Sequence, residues 1–230
     1  TLVSTPAVGS GPTMVRVHPT RAHFYVTNFN SNTVSGLTIN PDGTTGVLPG
    51  SPFAMTVTGA RNVHVHPSGN FLDVAGQTSL ESFSIGADGS LTSLGTTATT
   101  VAPRNEGGFT SDGAFLHIPV VSGVQSFSID AMTGLATATP LTTTPGAAPV
   151  NDLAVSPDGS ILLVNCQIAG ANNDQIVPFT VAADGTLTAQ AVNNLAFDVG
   201  LGDFASNGVY YVGDVVDGNN RLFGFTVSNV

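Results

Sequence analysis

One kind of turn recurs five times along the 230 residues, and it limits the fold more than any other feature. The five copies are Pro19-Thr20, Pro67-Ser68-Gly69, Ser111-Asp112-Gly113, Pro157-Asp158-Gly159 and Ser206-Asn207-Gly208, spaced 48, 44, 46 and 49 residues apart. A period of about 40–50 residues carrying several short strands is the signature of propeller blades. The spacing therefore predicts an all-β chain, a five-bladed β-propeller with four-stranded antiparallel blades.

Alternating apolar residues with β-branched content place the strands within each copy. The innermost strand reads Val15–His18, Val63–His66, Gly108–Thr110, Leu153–Ser156 and Gly202–Ala205. The second reads Phe24–Thr27, Phe71–Ala75, Phe115–Pro119, Ile161–Asn165 and Tyr210–Gly213. The third reads Val34–Ile39, Leu80–Ile85, Val124–Ile129, Ile176–Val181 and Leu222–Val227. A fourth follows an Asp-Gly turn, as in Ser90-Leu91-Thr92 and Thr186-Leu187-Thr188. Gly at these turns accepts the positive φ that a tight connection needs. No stretch holds a 3.6-residue period, so no helix is expected.

This divides one domain, residues 1–230, into blades at 11–58, 59–103, 104–149, 150–198 and 199–230 plus 1–8. The fifth copy ends after its third strand, while Thr1, Leu2 and Val3 read like a fourth strand with nothing before it. The expectation is that this N-terminal strand completes the last blade and removes an open sheet edge. An intermolecular version would complete a neighbour's blade and lead to self-association.

Composition narrows the partners. Fifteen acidic residues against five basic ones give a net charge of −10, and all five bases are Arg. That balance repels nucleic acid and anionic lipid, so neither nucleic-acid binding nor membrane insertion is expected. No apolar run reaches the length of a spanning helix. With only 9% charged residues, solubility rests on Thr, Ser, Asn and Gly, which suits a secreted or cell-surface β-protein. The sequence begins at Thr1 without Met, so either a leader was removed or the fragment was trimmed, and a processed export signal is the favoured expectation. The single Cys166, inside Ile161–Cys166, excludes an internal disulfide and reads as a buried thiol.

Two segments carry a family resemblance. Phe24-Tyr25-Val26-Thr27-Asn28 followed by Asn32-Thr33-Val34-Ser35 resembles the YVTN-type β-propeller repeat. Ala60–Gly69 and Asn151–Gly159 look like blades of the lactonase propeller family, and the likeness runs the length of the chain. Members of that family typically have seven blades, against the five countable here. The resemblance implies an Arg, His and Glu cluster where the innermost strands begin, with Arg61, His64, Arg104 and Glu106 as the matching candidates.

The repeat alignment itself sets Asn62 beside Met14, Glu106, Asp152 and Leu201, and His64 beside Arg16, Gly108, Ala154 and Asp203. These layers are expected to approach a central channel. Arg16, Asn62, Asn105, Asp152 and Asp203 are the candidate ligand-binding residues there, alongside the four above. Such Arg and His groups could polarise a carbonyl or activate water. Opposite charges around a wet channel also simply satisfy one another, and the set has no fixed catalytic spacing.

His18, His64 and His66 are weak metal candidates, because imidazoles two apart on one strand face can share an ion. Ser or Thr fills the His18 and His66 position in other copies, which favours a turn role. His23 and His117 read as structural. Asn28, Asn30 and Asn32, then Asn172, Asn173 and Asp174, then Asp214, Asp217, Asn219 and Asn220 line the second-to-third-strand loops. Their oxygens suit Ca²⁺ or sugar hydroxyls, and equally suit ordinary turns. Thr-rich connections at Thr96–Thr100 and Thr142–Thr144 could carry O-glycans in an exported protein. No nucleophile elbow or phosphate loop is present, and no cofactor is expected.

The leading functional expectation is a non-catalytic binding or assembly module that takes a protein or a small polar ligand at the funnel face. The alternative is a lactonase-like hydrolase, and a second alternative is a sugar- or calcium-binding, lectin-like propeller.

Overall fold

The computed structural model describes residues 4–99, 102–145, 149–168, 174–195, 198–214 and 222–226, all of them strand, turn or loop. Five antiparallel sheets follow one another, one per repeat, as five propeller blades. The chain divides into two compact units.

The first unit holds residues Thr1–Pro103 and Ile129–Ala138. Its first sheet runs β1 (Pro12–Val17), β2 (His23–Asn28) and β3 (Thr33–Ile39) in chain order. Two short outer strands, β4 (Thr45–Val47) and β5 (Phe53–Ala54), then share the edge of β3. Its second sheet runs β6 (Asn62–Val65), β7 (Phe71–Ala75), β8 (Ser79–Ile85) and β9 (Leu91–Ala98).

The second unit holds Arg104–Ser128 and Thr139–Val230. The third sheet contributes β10 (Gly108–Phe109), β11 (Phe115–Val120) and β12 (Gly123–Ile129). Next in the chain, β13 (Ala136–Ala138) falls in the first unit, and β14 (Thr142–Thr143) pairs with β12. The fourth sheet has β15 (Val150–Val155), β16 (Ile161–Cys166) and β17 (Gln175–Val181), with β18 (Leu187–Ala189) and β19 (Asn193–Asn194) sharing its outer edge. The last sheet is β20 (Val199–Phe204), β21 (Val209–Asp214) and β22 (Leu222–Thr226).

The strand positions agree with the sequence reading to within a few residues, with one structural surprise. The single expected outer strand is broken into two pieces in the first, third and fourth sheets. In the first sheet the break is Leu48-Pro49-Gly50-Ser51-Pro52, where two prolines lack the N–H a ladder needs. The chain leaves the edge there, yet Ser51 Oγ still accepts the Gly36 N–H at 2.9 Å.

Alternation along each strand gives every sheet two faces, and within each unit the packed faces meet in an apolar core. In the first unit, Tyr25 packs against Val63, Leu72, Val74 and Phe83. In the second, Ala154, Leu163 and Ile176 pack against Tyr210 and Val212. Cys166 is buried within the fourth sheet's core, and burial pushes its thiol up to about 11, so it stays protonated at neutral pH.

A polar clamp repeats beneath these faces. In the second sheet the Glu81 carboxylate is fully buried, and its Oε2 accepts the Thr56 and Val57 N–H groups at 2.8 and 3.3 Å. The repeat-equivalent Ser35 accepts the Gly9 N–H at 3.1 Å. The segment leading into an innermost strand is thereby tied to the third strand of its own sheet. Before Gly9, residues 4–8 form no strand, and Ser4 Oγ lies 2.9 Å from Thr45 Oγ1. The expected closing strand, Thr1–Val3, falls outside the described residues.

Candidate functional site

The turn after each innermost strand fixes the roles of two histidines. His18 Nδ1 accepts the N–H groups of Thr20 and Arg21 at 3.2 and 3.0 Å, which leaves Nε2 to donate to the Gly69 carbonyl at 2.9 Å. Gly69 has φ +71°, and a side chain there would run into the His18 ring. His66 Nδ1 accepts the Ser68 N–H at 3.1 Å. At the matching positions Thr110 Oγ1 accepts the Phe115 N–H, and Ser156 Oγ accepts the Ile161 N–H. The four side chains do one job, closing the turn, so metal ligation by His18 would require breaking these bonds. Among the described residues no group of three or more His, Cys, Asp or Glu could hold a metal ion. His18→Ala is expected to lower stability by about 2 kcal/mol, since two turn N–H groups lose their acceptor; a thermal melt measures it.

In the first unit, Arg61 is exposed, with its guanidinium carbon 5.6 Å from the centroid of the Phe29 ring. Its carbonyl accepts hydrogen bonds from Thr13 Oγ1 and Thr27 Oγ1 at 2.7 and 2.9 Å. That anchoring holds the start of β6 against the first sheet and leaves the charged end on an aromatic platform. The Phe29 loop is set by Asn32, whose φ is +49° and whose Oδ1 accepts the Gly59 N–H at 2.6 Å. Asn28 donates to Thr33 and Ser35 within its own sheet. Asn62 and His64 are buried, whereas Arg16 is half-buried and donates to the Val15 carbonyl at 3.1 Å.

His64 stands opposite Asp73 in the ladder, and Asp73 opposite Ser82. Ser82 Oγ donates to Asp73 Oδ1 at 2.6 Å, and Oδ2 has no hydrogen-bond partner among the described residues. Burial pushes the Asp73 carboxyl up to about 7. The next repeat places His117 and Ser126 at the same two positions, with Nδ1 and Oγ 2.7 Å apart. Burial pulls His117 down to about 4. Neither Asp73 nor Glu81 stands out in the sequence, because a lone acid in an apolar strand gives no hint of its partners.

In the second unit, Asn105 Nδ2 donates to Asn151 Oδ1 at 3.0 Å. The buried Asp152 carboxylate accepts the Glu106 N–H at 3.0 Å through Oδ1 and the Gly202 N–H at 3.2 Å through Oδ2. It thus ties β15 to the starts of the innermost segments on either side. Arg104 and Asp203 are exposed, and the Glu106 side chain is half-buried. Tyr210 donates to Asn165 Oδ1 at 2.9 Å, a buried pair that the alternation pattern alone does not reveal.

Of the acidic loop residues, Asp174 is buried, with Oδ1 accepting the Ile168 N–H at 2.7 Å. Asn172, Asn173, Asp217, Asn219 and Asn220 lie outside the described residues, as does the side chain of Asp214. A groove of about 520 Å³ opens elsewhere in the second unit, lined in part by Leu163, Ile176, Pro178 and Phe225, and none of the candidate residues reaches it.

A family model described as "Lactonase, 7-bladed beta-propeller" matches residues 3–140, more than half of the sequence. The chain belongs to that lactonase propeller family. Solved structures similar to this lactonase-family chain include a protein from Lactobacillus plantarum, at 20% identity and TM-score 0.73. Others are a putative 6-phosphogluconolactonase from Bacteroides uniformis, at 19% and 0.67, and the periplasmic gluconolactonase of Pseudomonas aeruginosa, at 17% and 0.67. The alignments cover 93%, 80% and 80% of this chain and 67%, 55% and 54% of those structures. At such identities the likeness shows the propeller fold. No curated protein matches the sequence.

Proposed function

We propose that this lactonase-family propeller is a binding module for a small, polar, sugar-like ligand, and that it does not turn the ligand over. The observation that carries the reading is the fate of the groups best suited to catalysis. His64 is buried beside Asp73, and both oxygens of Asp152 are engaged by backbone N–H groups. A general base must reach the proton it removes, and these groups face structure rather than solvent. The exposed Arg61 and Arg104, and the half-buried Glu106, suit recognition. The proposed contacts are Arg61 in the first unit and Arg104 with Glu106 in the second, each taken separately.

The test is titration calorimetry with gluconate and gluconolactone, paired with a lactone hydrolysis assay. Binding is expected to weaken about tenfold, or roughly 1.4 kcal/mol, in Arg61→Ala, with hydrolysis at the buffer rate throughout. Hydrolysis above buffer that disappears in Arg61→Ala or Arg104→Ala would overturn the reading. It would favour the second reading, lactone hydrolysis, which family membership supports. An extracytoplasmic location belongs to the same proposal. Its supports are the charge-poor, Lys-free composition and the periplasmic gluconolactonase of Pseudomonas aeruginosa among the structural neighbours.

A further inference from the structure

The break in the outer strand is filled in the first sheet and left open in the third. In the first sheet Gly36 pairs with Tyr25, Leu48 donates its N–H to the Gly36 carbonyl, and Phe53 pairs with Val34. In the third sheet Ser126 pairs with His117, Thr139 donates its N–H to the Ser126 carbonyl, and Thr142 pairs with Val124. The two sets are therefore repeat equivalents. Leu48 and Phe53 are 2% and 8% exposed, and both side chains sit over the place a Gly36 side chain would take. Tyr25 completes the filling, its hydroxyl donating to the Gly89 carbonyl at 2.9 Å.

Within the second unit, Thr139 and Thr142 are smaller than Leu48 and Phe53, and His117 is shorter than Tyr25. A cavity of about 330 Å³ opens there, lined in part by Ser126, Thr139, Thr142, Asp184, Thr186 and Leu187. It stands at the small end of ligand pockets, about 300–1,000 Å³. Ser126 Oγ lies 2.7 Å from His117 Nδ1, and the buried Nε2 of that ring has no hydrogen-bond partner among the described residues. The His117 ring stacks on Phe115, which in turn lies against Gly185 at the cavity wall.

The chemistry of the lining selects the occupant. The hydroxyls of Ser126, Thr139, Thr142 and Thr186 can each donate or accept, whereas the Asp184 carboxylate only accepts. None of the lining residues is cationic, so an anion would meet Asp184 with nothing to pair with. Asp184 Oδ1 is already engaged by the Thr186 N–H at 3.0 Å, which favours hydroxyl donors over a full positive charge. Leu187 offers an apolar patch for the C–H side of a small ring or chain. We propose that this cavity between the third and fourth sheets binds a neutral polyol of monosaccharide size or smaller, held by Ser126, Thr142, Thr186 and Asp184. Through Ser126 the bound polyol is sensed at His117. The site shares no residue with the contacts proposed above and is independent of that reading.

Nitrogen-15 NMR of the His117 ring tests it, with the signals assigned by their loss in His117→Gln and glucose, xylitol and gluconate as probes. Glucose or xylitol is expected to move the His117 signals to a plateau, and gluconate to bind at least tenfold more weakly. Thr139→Leu combined with Thr142→Phe rebuilds the filling of the first sheet and is expected to abolish the movement. Should that variant fail to fold, Thr142→Val removes one hydroxyl with little change in volume and is expected to raise Kd roughly fivefold. His117 signals that stay in place with glucose and xylitol overturn the proposal, as does movement that never reaches a plateau, which marks a co-solvent effect only. A filled variant that responds as wild type does, or a Thr142→Val protein with unchanged Kd, overturns it as well. Gluconate binding as tightly as glucose overturns the assignment to a neutral ligand.

Discussion

Between about pH 4 and pH 7, Asp73→Asn is expected to gain stability as pH rises, His117→Asn to lose it, and wild type to change little. The reason is a pair of opposed titrations at one repeat position. Asp73 titrates near 7 in the fold against 3.8 unfolded. Its contribution is complete below the unfolded value and is lost as pH rises through 7, because ionisation inside the sheet is disfavoured. His117 titrates near 4 in the fold against 6.5 unfolded. Its contribution is present above 6.5 and is lost as pH falls through 4, because the unfolded chain takes up the proton first. At about 1.4 kcal/mol per pKa unit, each swing is on the order of 3–4 kcal/mol.

Removing either group exposes the slope of the other. The Asn in Asp73→Asn still meets Ser82, although burying its amide N–H groups has a cost of its own, so the net gain near pH 8 is about 2 kcal/mol. Urea unfolding at several pH values measures all three proteins. Parallel profiles for wild type and both variants would refute the account. The turn carboxylates of Asp42, Asp88, Asp130 and Asp184 are held below their usual range by hydroxyl and N–H donors of the following Thr or Ser. They titrate at lower pH and steepen the acid limb below this window.

Asp152→Ala is expected to lower stability by about 3 kcal/mol and to leave ligand affinity unchanged in whatever fraction stays folded. Its carboxylate serves two backbone N–H groups from different repeats, and each donor left without an acceptor costs about 1–3 kcal/mol. Asp152→Asn keeps one acceptor oxygen and is expected to recover roughly half of the loss. Thermal melts of both variants, alongside calorimetry, decide the matter. An Asp152→Ala protein that melts like wild type but has lost its ligand would return this residue to the binding set.

The two residues show how far sequence reading reaches in a repeat protein. Turn spacing and two-residue alternation gave the sheets, the strand order and the faces, because both are properties of the backbone ladder. Alternation also placed Glu106 and Asp152 in one layer, and they are neighbours. It could not tell that Asp152 meets the backbone N–H of residue 106 rather than a ligand, since that depends on the bulge between Val150 and Asp152. The broken outer strands escaped for a similar reason: Pro49 and Pro52 mark a break, but not the return of β5 to the same edge. Of the histidines, His18 and His66 were legible as turn residues because other repeats carry Thr or Ser there.

The clamp from Thr56 and Val57 to Glu81, repeated from Gly9 to Ser35, redraws where one module ends and the next begins. A sheet is locked by residues that precede its first strand, so the exchangeable cassette is out of step with the sheet. A transplant of the second blade cut at Asn62 would leave its lock behind and strand the Glu81 carboxylate without its backbone donors. A cut ahead of Met55 would carry sheet and lock together. The seams along which such a gene could be duplicated or recombined without penalty therefore run inside the connections, a few residues upstream of where the strands alone would place them.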